Sequence, residues 1–277
     1  MFSIVLPLYN KEYYILKTVK SVLNQSYEEF ELIIINDGST DSSLEKLDSI
    51  KDKRIRLINQ SNQGVSISRN QGIKESKCEY IAFIDADDIW DSNYLLEMKQ
   101  LIFEYPKAKI YGANFYFVDG NKIKTANSGL KRGYTDNYFR LVRNSVVLHT
   151  SSTIVNSKAL QTVGFFNSSI KRGEDLDLFV RLIRKFELAY LPEAKNKYFL
   201  NTENSSNQFV PLPEESFAYH AKFTEDSNYY EKLYLVTLIW KKFFKYLLID
   251  KKVQYAFSLL YKQKSIMFNF FSLLFNH

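Results

Sequence analysis

Four short apolar runs, SIVL, ELIII, RIRLI and YIAFI, fall within the first 84 residues, and the segments between them repeat their apolar residues at helical spacing. Residues 3–6 and 31–35 suit buried strands. Between them Ile15, Val19, Val22 and Leu23 share one helical face. Asp41 or Ser42, with Glu45 three residues after Ser42, marks a second helix start ahead of Leu44, Leu47 and Ile50. RIRLIN gives a third strand, residues 66–75 a crossover helix, and residues 80–84 a fourth strand. Strands alternating with helices predict an α/β chain: a Rossmann-like, mainly parallel central sheet covered by helices on both faces, binding ligands at the carboxyl ends of its strands.

Further along, the pattern predicts a helix from near Asp91 to Pro106, a strand in KIYGANFYFV and a loop or hairpin over residues 119–133. A strand at residues 152–155, a helix opening at Asp175 with Leu178, Phe179, Leu182 and Phe186 on one face, and two short strands in LAYLP and KYFLN follow. The sheet domain is expected over residues 1–207. Residues 208–277 lack glycine and are rich in Phe, Tyr, Leu and Lys, with Leu233, Val236, Trp240, Phe243 and Leu247 at helical spacing, so a C-terminal helical segment is expected.

Composition narrows the function. One cysteine, Cys78, excludes an internal disulfide and a Cys-based zinc site, and three histidines make a His-rich metal site a poor reading. The N-terminus shows no secretory leader, and no run reaches the roughly 20 apolar residues of a membrane span. A cytoplasmic location is expected. From Lys232 onward eight lysines face one acid, a net +7 against +6 for the whole chain, so the remainder stands at −1. Basicity therefore belongs to the tail, and no nucleic-acid-binding role is expected of the sheet domain.

The polar residues that end the apolar runs are the chemical candidates. In YIAFIDADDIW, an extended chain would aim Asp85 and Asp87 to one side, where carboxylates can share a divalent cation such as Mg2+ or Mn2+ with substrate phosphates. Asp88 or Asp91 can instead cap the next helix, and so short a pattern recurs by chance. In IIINDGSTD, Asp37 can accept hydrogen bonds from a base or ribose while Gly38 lets backbone approach a ligand, or the stretch is a tight turn with a helix cap. SNQGVSISRNQG offers Gly64 and Arg69, a phosphate partner or an ordinary helix-surface cation. In KRGEDLDLFVRL, Glu174 and Asp175 can stabilise a helix dipole or act on a substrate hydroxyl as a general base.

Taken together and in order, Pro7, Tyr9 and Asn10 after the first strand, NDGSTD after the second, NQG with SRN before the fourth, DADD after it and GED much later resemble the inverting glycosyltransferase family 2, with its GT-A fold. SVLNQSY and STIVNSKALQTVGFF extend the likeness from Phe2 to about residue 207. The resemblance implies a UDP-sugar donor, with Tyr9 along the uracil, Asp37 on the base, Arg69 nearby and Asp85 toward the ribose beside Ala86. It implies Asp87 as metal ligand, Asp175 as catalytic base and Glu174 as a positioning or acceptor contact. Relatives of this kind build bacterial surface polysaccharide such as O-antigen, capsule or lipooligosaccharide, on a glycan or lipid-linked acceptor. The sequence departs from the pattern where many relatives carry an Arg-x-His-x-x-Ser stretch: YFLNTENSS puts Leu200 and Asn201 in the nearest positions.

Lys241, Lys242, Lys245, Lys251 and Lys252 interleave with Trp240, Phe243, Phe244 and Tyr246, and SIMFNFFSLLF adds a second aromatic patch. Such a segment suits peripheral contact with an anionic membrane, on the cytoplasmic face of the inner membrane. Alternatively its apolar face packs on the sheet domain or on a second subunit of a homodimer. Two other functions compete: a sugar nucleotidyltransferase, disfavoured because LPLYNKEYY lacks glycine, and a degenerate binding subunit without turnover, disfavoured by intact Asp37, Asp87 and Asp175.

Overall fold

The computed structural model describes residues 1–126, 129–135, 137–142, 146–203 and 209–275, with side chains described to residue 268. Its first half runs β1 (Phe2–Leu8), α1 (Ile15–Leu23), β2 (Phe30–Asp37), α2 (Ser43–Leu47), β3 (Ile55–Gln60), α3 (Val65–Glu75), β4 (Tyr80–Phe83), β5 (Ile89–Trp90) and α4 (Tyr94–Glu104). Then come β6 (Ile110–Asp119), β7 (Lys122–Thr125), β8 (Gly133–Tyr134), α5 (Tyr138–Leu141), β9 (Thr153–Asn156), α6 (Ser157–Val163), α7 (Glu174–Ile183) and β10 (Leu188–Phe199). Three helices close the chain: α8 (Phe217–His220), α9 (Tyr229–Phe244) and α10 (Val253–Phe275).

Among the described residues ten strands join one sheet, ordered β3-β2-β1-β4-β9-β6-β10-β5, with β7 beside β6 and β8 beside β10. The first four strands are mutually parallel, as the βα alternation predicts. β9 runs antiparallel to both β4 and β6, so the sheet is mixed in its second half. LAYLP and KYFLN, expected as two strands, form the single strand β10. Its pairing with β6 shifts register between Leu191 and Asn196, where Pro192 cannot donate to the ladder. Pro7 sits inside β1 without penalty because pairing to β4 ends at Val5, leaving no partner on that side for the N–H that proline lacks.

Alternation along the strands divides the core in two. Ile4, Leu6, Ala82 and Ile84 face a cluster with α1 and α4 residues Val19, Leu95 and Met98, whereas Val5, Ile81 and Phe83 face the opposite cluster. That second cluster also contains Leu178 and Phe179 of α7, Leu235, Val236 and Ile239 of α9, and Leu259 and Met267 of α10. Each such side chain contributes about 1.5–3 kcal/mol when withdrawn from water. The apolar stripe of the C-terminal segment thus packs against the sheet domain. The boundary drawn near residue 207 lies outside the described residues, as do the side chains that end the second aromatic patch.

Helix α3 lies close on β1: a Cβ added at Gly72 would stand 2.3 Å from Val5 Cγ1. Gly72→Ala should therefore destabilise the protein by about 1–3 kcal/mol through overpacking, read from the midpoint of urea denaturation.

Candidate active site

The carboxyl ends of β1, β2 and β4, the start of α7 and the last turn of α9 enclose a cavity of about 710 Å³. Pro7, Tyr9, Asp37, Gly64, Arg69, Asp85, Ala86, Asp87, Glu174 and Asp175 all line it. Asn10 does not. Its backbone, at φ 49°, takes the left-handed conformation that asparagine tolerates, and its side-chain oxygen accepts the Thr40 N–H at 2.8 Å. Asn10 therefore couples the loop after β1 to the loop after β2.

Beyond Phe83 the chain does not stay extended, so strand alternation is not what aims Asp85 and Asp87. The Asp88 N–H donates to the Asp85 carbonyl at 3.0 Å, making a turn. The Asp85 N–H donates to Ser151 Oγ, and the Thr18 hydroxyl holds the Ala86 carbonyl. The turn spreads the three carboxylates onto different partners. Asp85 meets Arg69 at 2.7 Å; Asp87 meets the Lys11 ammonium at 2.7 Å and accepts the Thr202 hydroxyl. Asp88 is fully buried, accepts the Phe199 N–H at 3.3 Å, and among the described residues leaves Oδ2 without a hydrogen-bond partner.

Arg69, expected near the nucleotide or its phosphates, is a buried cross-link: its guanidinium binds Asp85 on one side and Glu174 on the other at 2.8 Å, and lies over the Phe166 ring. Asp37 is likewise committed to protein. Its two oxygens accept from Gln60 and from the Gln63 and Gly64 N–H groups at 2.7–2.9 Å, which pins the loop before α3 to the end of β2. Gly38, expected to admit a ligand, instead admits the backbone of Asn62. A Cβ there would lie 2.9 Å from the Asn62 nitrogen.

These partners divide the acids electrically. Burial would raise the Asp85 carboxyl, but the Arg69 charge holds it below the usual range. Burial, then the charges of Asp87 and Asp85, push Asp88 well above that range. Burial, then the charge of Glu174, push Asp175 up to about 7. His149, one of the residues that sequence reasoning missed, is pushed down to about 4 by burial and is therefore a neutral imidazole at pH 7. Tyr198 and Phe115 flank its ring, with centroids at 4.2 and 5.3 Å.

Two arrangements can receive a divalent cation. Asp85, Asp88 and His149 offer ligand atoms within 4.8 Å of one another, and the orphaned Asp88 Oδ2 together with a neutral imidazole suits that set. Asp87 fits through its exposure to the cavity, provided that the Lys11 ammonium yields or shares it. Asn201, which stands near the absent family histidine, is exposed and turned toward Asp119, while its neighbour Thr202 reaches Asp87. Residues 204–206 of that stretch lie outside the described residues. Lys11 follows Asn10 directly in sequence, but nothing local indicates that it would meet an acid 76 residues away.

The model for "Glycosyl transferase family 2" matches residues 3–164. The chain is 31% identical over 221 residues to an uncharacterized glycosyltransferase of Haemophilus influenzae, covering 76% of this chain and 83% of that protein. It is 30% identical over 224 residues to the minor teichoic acid biosynthesis protein GgaA of Bacillus subtilis, covering 76% of this chain and 49% of that protein. An uncharacterized glycosyltransferase of Rickettsia bellii is 30% identical over 207 residues, 74% of this chain but 29% of that longer protein. The chain thus spans less than half of several relatives that it matches and most of another. A crystal structure of S. aureus TarS 1-349 in complex with UDP-GlcNAc superposes with a TM-score of 0.78 over 96% of this chain and 80% of that one. At 18% identity, that likeness is one of fold, the GT-A fold.

Arg69→Met would leave the Asp85 and Glu174 carboxylates facing each other without their cation. A loss of about 3–5 kcal/mol in denaturant stability is expected. Arg69→Lys should recover little of it, because one ammonium cannot span both acids as a planar guanidinium does.

Proposed function

Because the chain belongs to glycosyl transferase family 2, we propose that it is an inverting transferase that moves a sugar from a UDP-sugar to a hydroxyl of a glycan or lipid-linked acceptor, in the synthesis of a surface polysaccharide. The observation that carries this reading is Asp175: a carboxyl at the wall of the cavity, raised to about 7 and one residue from the Arg69-bound Glu174. A base with its pKa near neutrality is well matched to accepting a proton from a hydroxyl. The UDP-GlcNAc named in the TarS complex supports a UDP-sugar donor, and the name of GgaA supports a cell-surface polymer as product.

The nucleotide would lie along Tyr9, over the loop that Asp37 pins, with Asp85 and Ala86 at the ribose. Asp175 would take the acceptor hydroxyl proton while that oxygen forms a bond to the anomeric carbon. The bond from that carbon to the UDP oxygen breaks in the same step, its electron pair leaving with the diphosphate and the configuration inverting. A Mg2+ or Mn2+ ion held at Asp87, or by Asp85, Asp88 and His149, would neutralise charge on the departing diphosphate. Lys11 stands beside Asp87 and adds a resident positive charge at that end of the cavity.

Among the described residues no helix is long and apolar enough to cross a membrane. Contact with an anionic membrane through the C-terminal helices remains part of the proposal. Its support is an outer face where Phe244, Leu248, Ile249, Val253 and Phe257 are exposed beside Lys251 and Lys252.

Asp175→Asn should lower sugar transfer by about 10²–10⁴-fold while UDP affinity, read by calorimetry, stays within about two-fold. In the wild type the base works only when deprotonated, so kcat/KM should fall as pH drops through about 7 and level off above it. Asp175→Asn should lose that limb. Manganese should tighten UDP binding, and Asp87→Asn should remove most of the gain; equal manganese dependence in that variant, with loss in Asp88→Asn, would assign the ion to the other set.

A further inference from the structure

The wall of the cavity beyond Asp175 is positively charged. Lys171 and Arg172 directly precede the Gly173 turn into α7, and Lys241, Lys242 and Lys245 project into the same cavity from the end of α9 and the wide turn that follows it. Contacts tie this wall to the acid turn: Asp85 binds Arg69, Arg69 binds Glu174, and Arg172 lies two residues before Glu174. The Arg172 backbone is held in turn by Glu215 and Phe217, and its charge acts on Lys242. The cations therefore share the cavity with Asp175 but come from elements other than those that carry Asp37, Asp85 and Asp87.

Some of this charge is neutralised by the protein. Lys171 pairs with Glu215 at 2.5 Å and Lys245 with Asp250 at 2.6 Å. Among the described residues no carboxylate lies within ion-pair distance of Lys241 or Lys242. Lys242 is packed over the Tyr246 ring at 4.3 Å, and burial, then the charges of Lys245 and Arg172, lower its ammonium to about 8. Lysines in a last helical turn do complement the helix dipole. That effect does not account for Arg172, which comes from a different element and faces the same cavity. Like charges gathered on one wall repel, and an anion between them relieves the repulsion.

We propose that Lys241, Lys242, Lys245 and Arg172 form a subsite for an acceptor that carries phosphate, holding its charged chain while a hydroxyl reaches Asp175. This rests on the transferase reading for the identity of the bound chain as acceptor. It differs from the membrane role expected for the same lysines, because Lys241, Lys242 and Lys245 line the cavity while the exposed apolar side chains, Leu248 and Ile249 among them, lie on residues that do not line it.

The test titrates the full chain with a short glycerol-phosphate oligomer, with a neutral oligosaccharide of equal length, with phosphatidylglycerol vesicles and with UDP. Lys241→Gln/Lys242→Gln is compared with the wild type, and Lys241→Gln alone serves as the second variant because Lys241 is exposed and its loss disturbs no packing. The expected result is binding of the oligomer in preference to the neutral chain, weakened about ten-fold or more in the double variant, partly in the single one, and by added salt. The ratio of oligomer to UDP affinity is the readout. Unchanged oligomer binding in both variants overturns the proposal, as does an equal loss of UDP affinity, which would give the lysines to the donor diphosphate. Loss confined to vesicle binding also overturns it, in favour of a membrane. Hydrolysis of a panel of UDP-sugars by the same preparations reads the transferase assignment separately, so that each failure is seen by itself.

Discussion

The cavity depends on one buried guanidinium. Arg69 sits on α3, yet its two partners lie at the end of β4 and the start of α7, so a single side chain fixes the distance between the acid turn and the segment that carries Asp175. A buried cation between two acids meets both charges at short range; removing the guanidinium strands the two acids in a medium of low dielectric. Geometry therefore follows from electrostatics here. Asp37 does the parallel work at the neighbouring strand end, where three hydrogen bonds from the Gln60–Gly64 segment hold the entrance to α3.

The same charges sort carboxyls of one chemical type into different states. Asp85 is kept ionised by Arg69 although it is largely withdrawn from water; Asp88, by its burial and then by the charges of Asp87 and Asp85, is driven toward the neutral form. Asp175 falls between them at about 7, close to Glu174 but without its own guanidinium. An ordered set of this kind places an ionised carboxylate and a carboxyl poised near neutrality in one cavity of about 710 Å³.

The C-terminal helices belong to this chemistry as well as to the core. Their inner face buries Leu235, Val236 and Ile239 against the layer that contains α7, and this packing brings the last turn of α9 to the rim of the cavity. A segment that reads as an appendage by composition thus supplies positive side chains to the same cavity as the acid turn.

The sequence by itself determined the first four strands, their helices and a set of candidate residues that, Asn10 excepted, line the cavity, because the spacing of apolar residues and the acids and glycines at strand ends are local properties of the chain. It did not determine how those residues are used. Asp85 and Asp87 read as one cation pair, but a turn held by Ser151 and Thr18 sends them to Arg69 and Lys11. Lys241 and Lys242 read as part of a basic, aromatic helix for a membrane or for packing, and only helix packing places them on the cavity wall, Lys242 within reach of the Arg172 charge. Partners such as Arg69 and Glu174 are 105 residues apart, and Asp87 and Thr202 are 115. Charge pairing and desolvation act through space, so only the tertiary structure decided which acid is held low, which is pushed well up and which lies near neutrality.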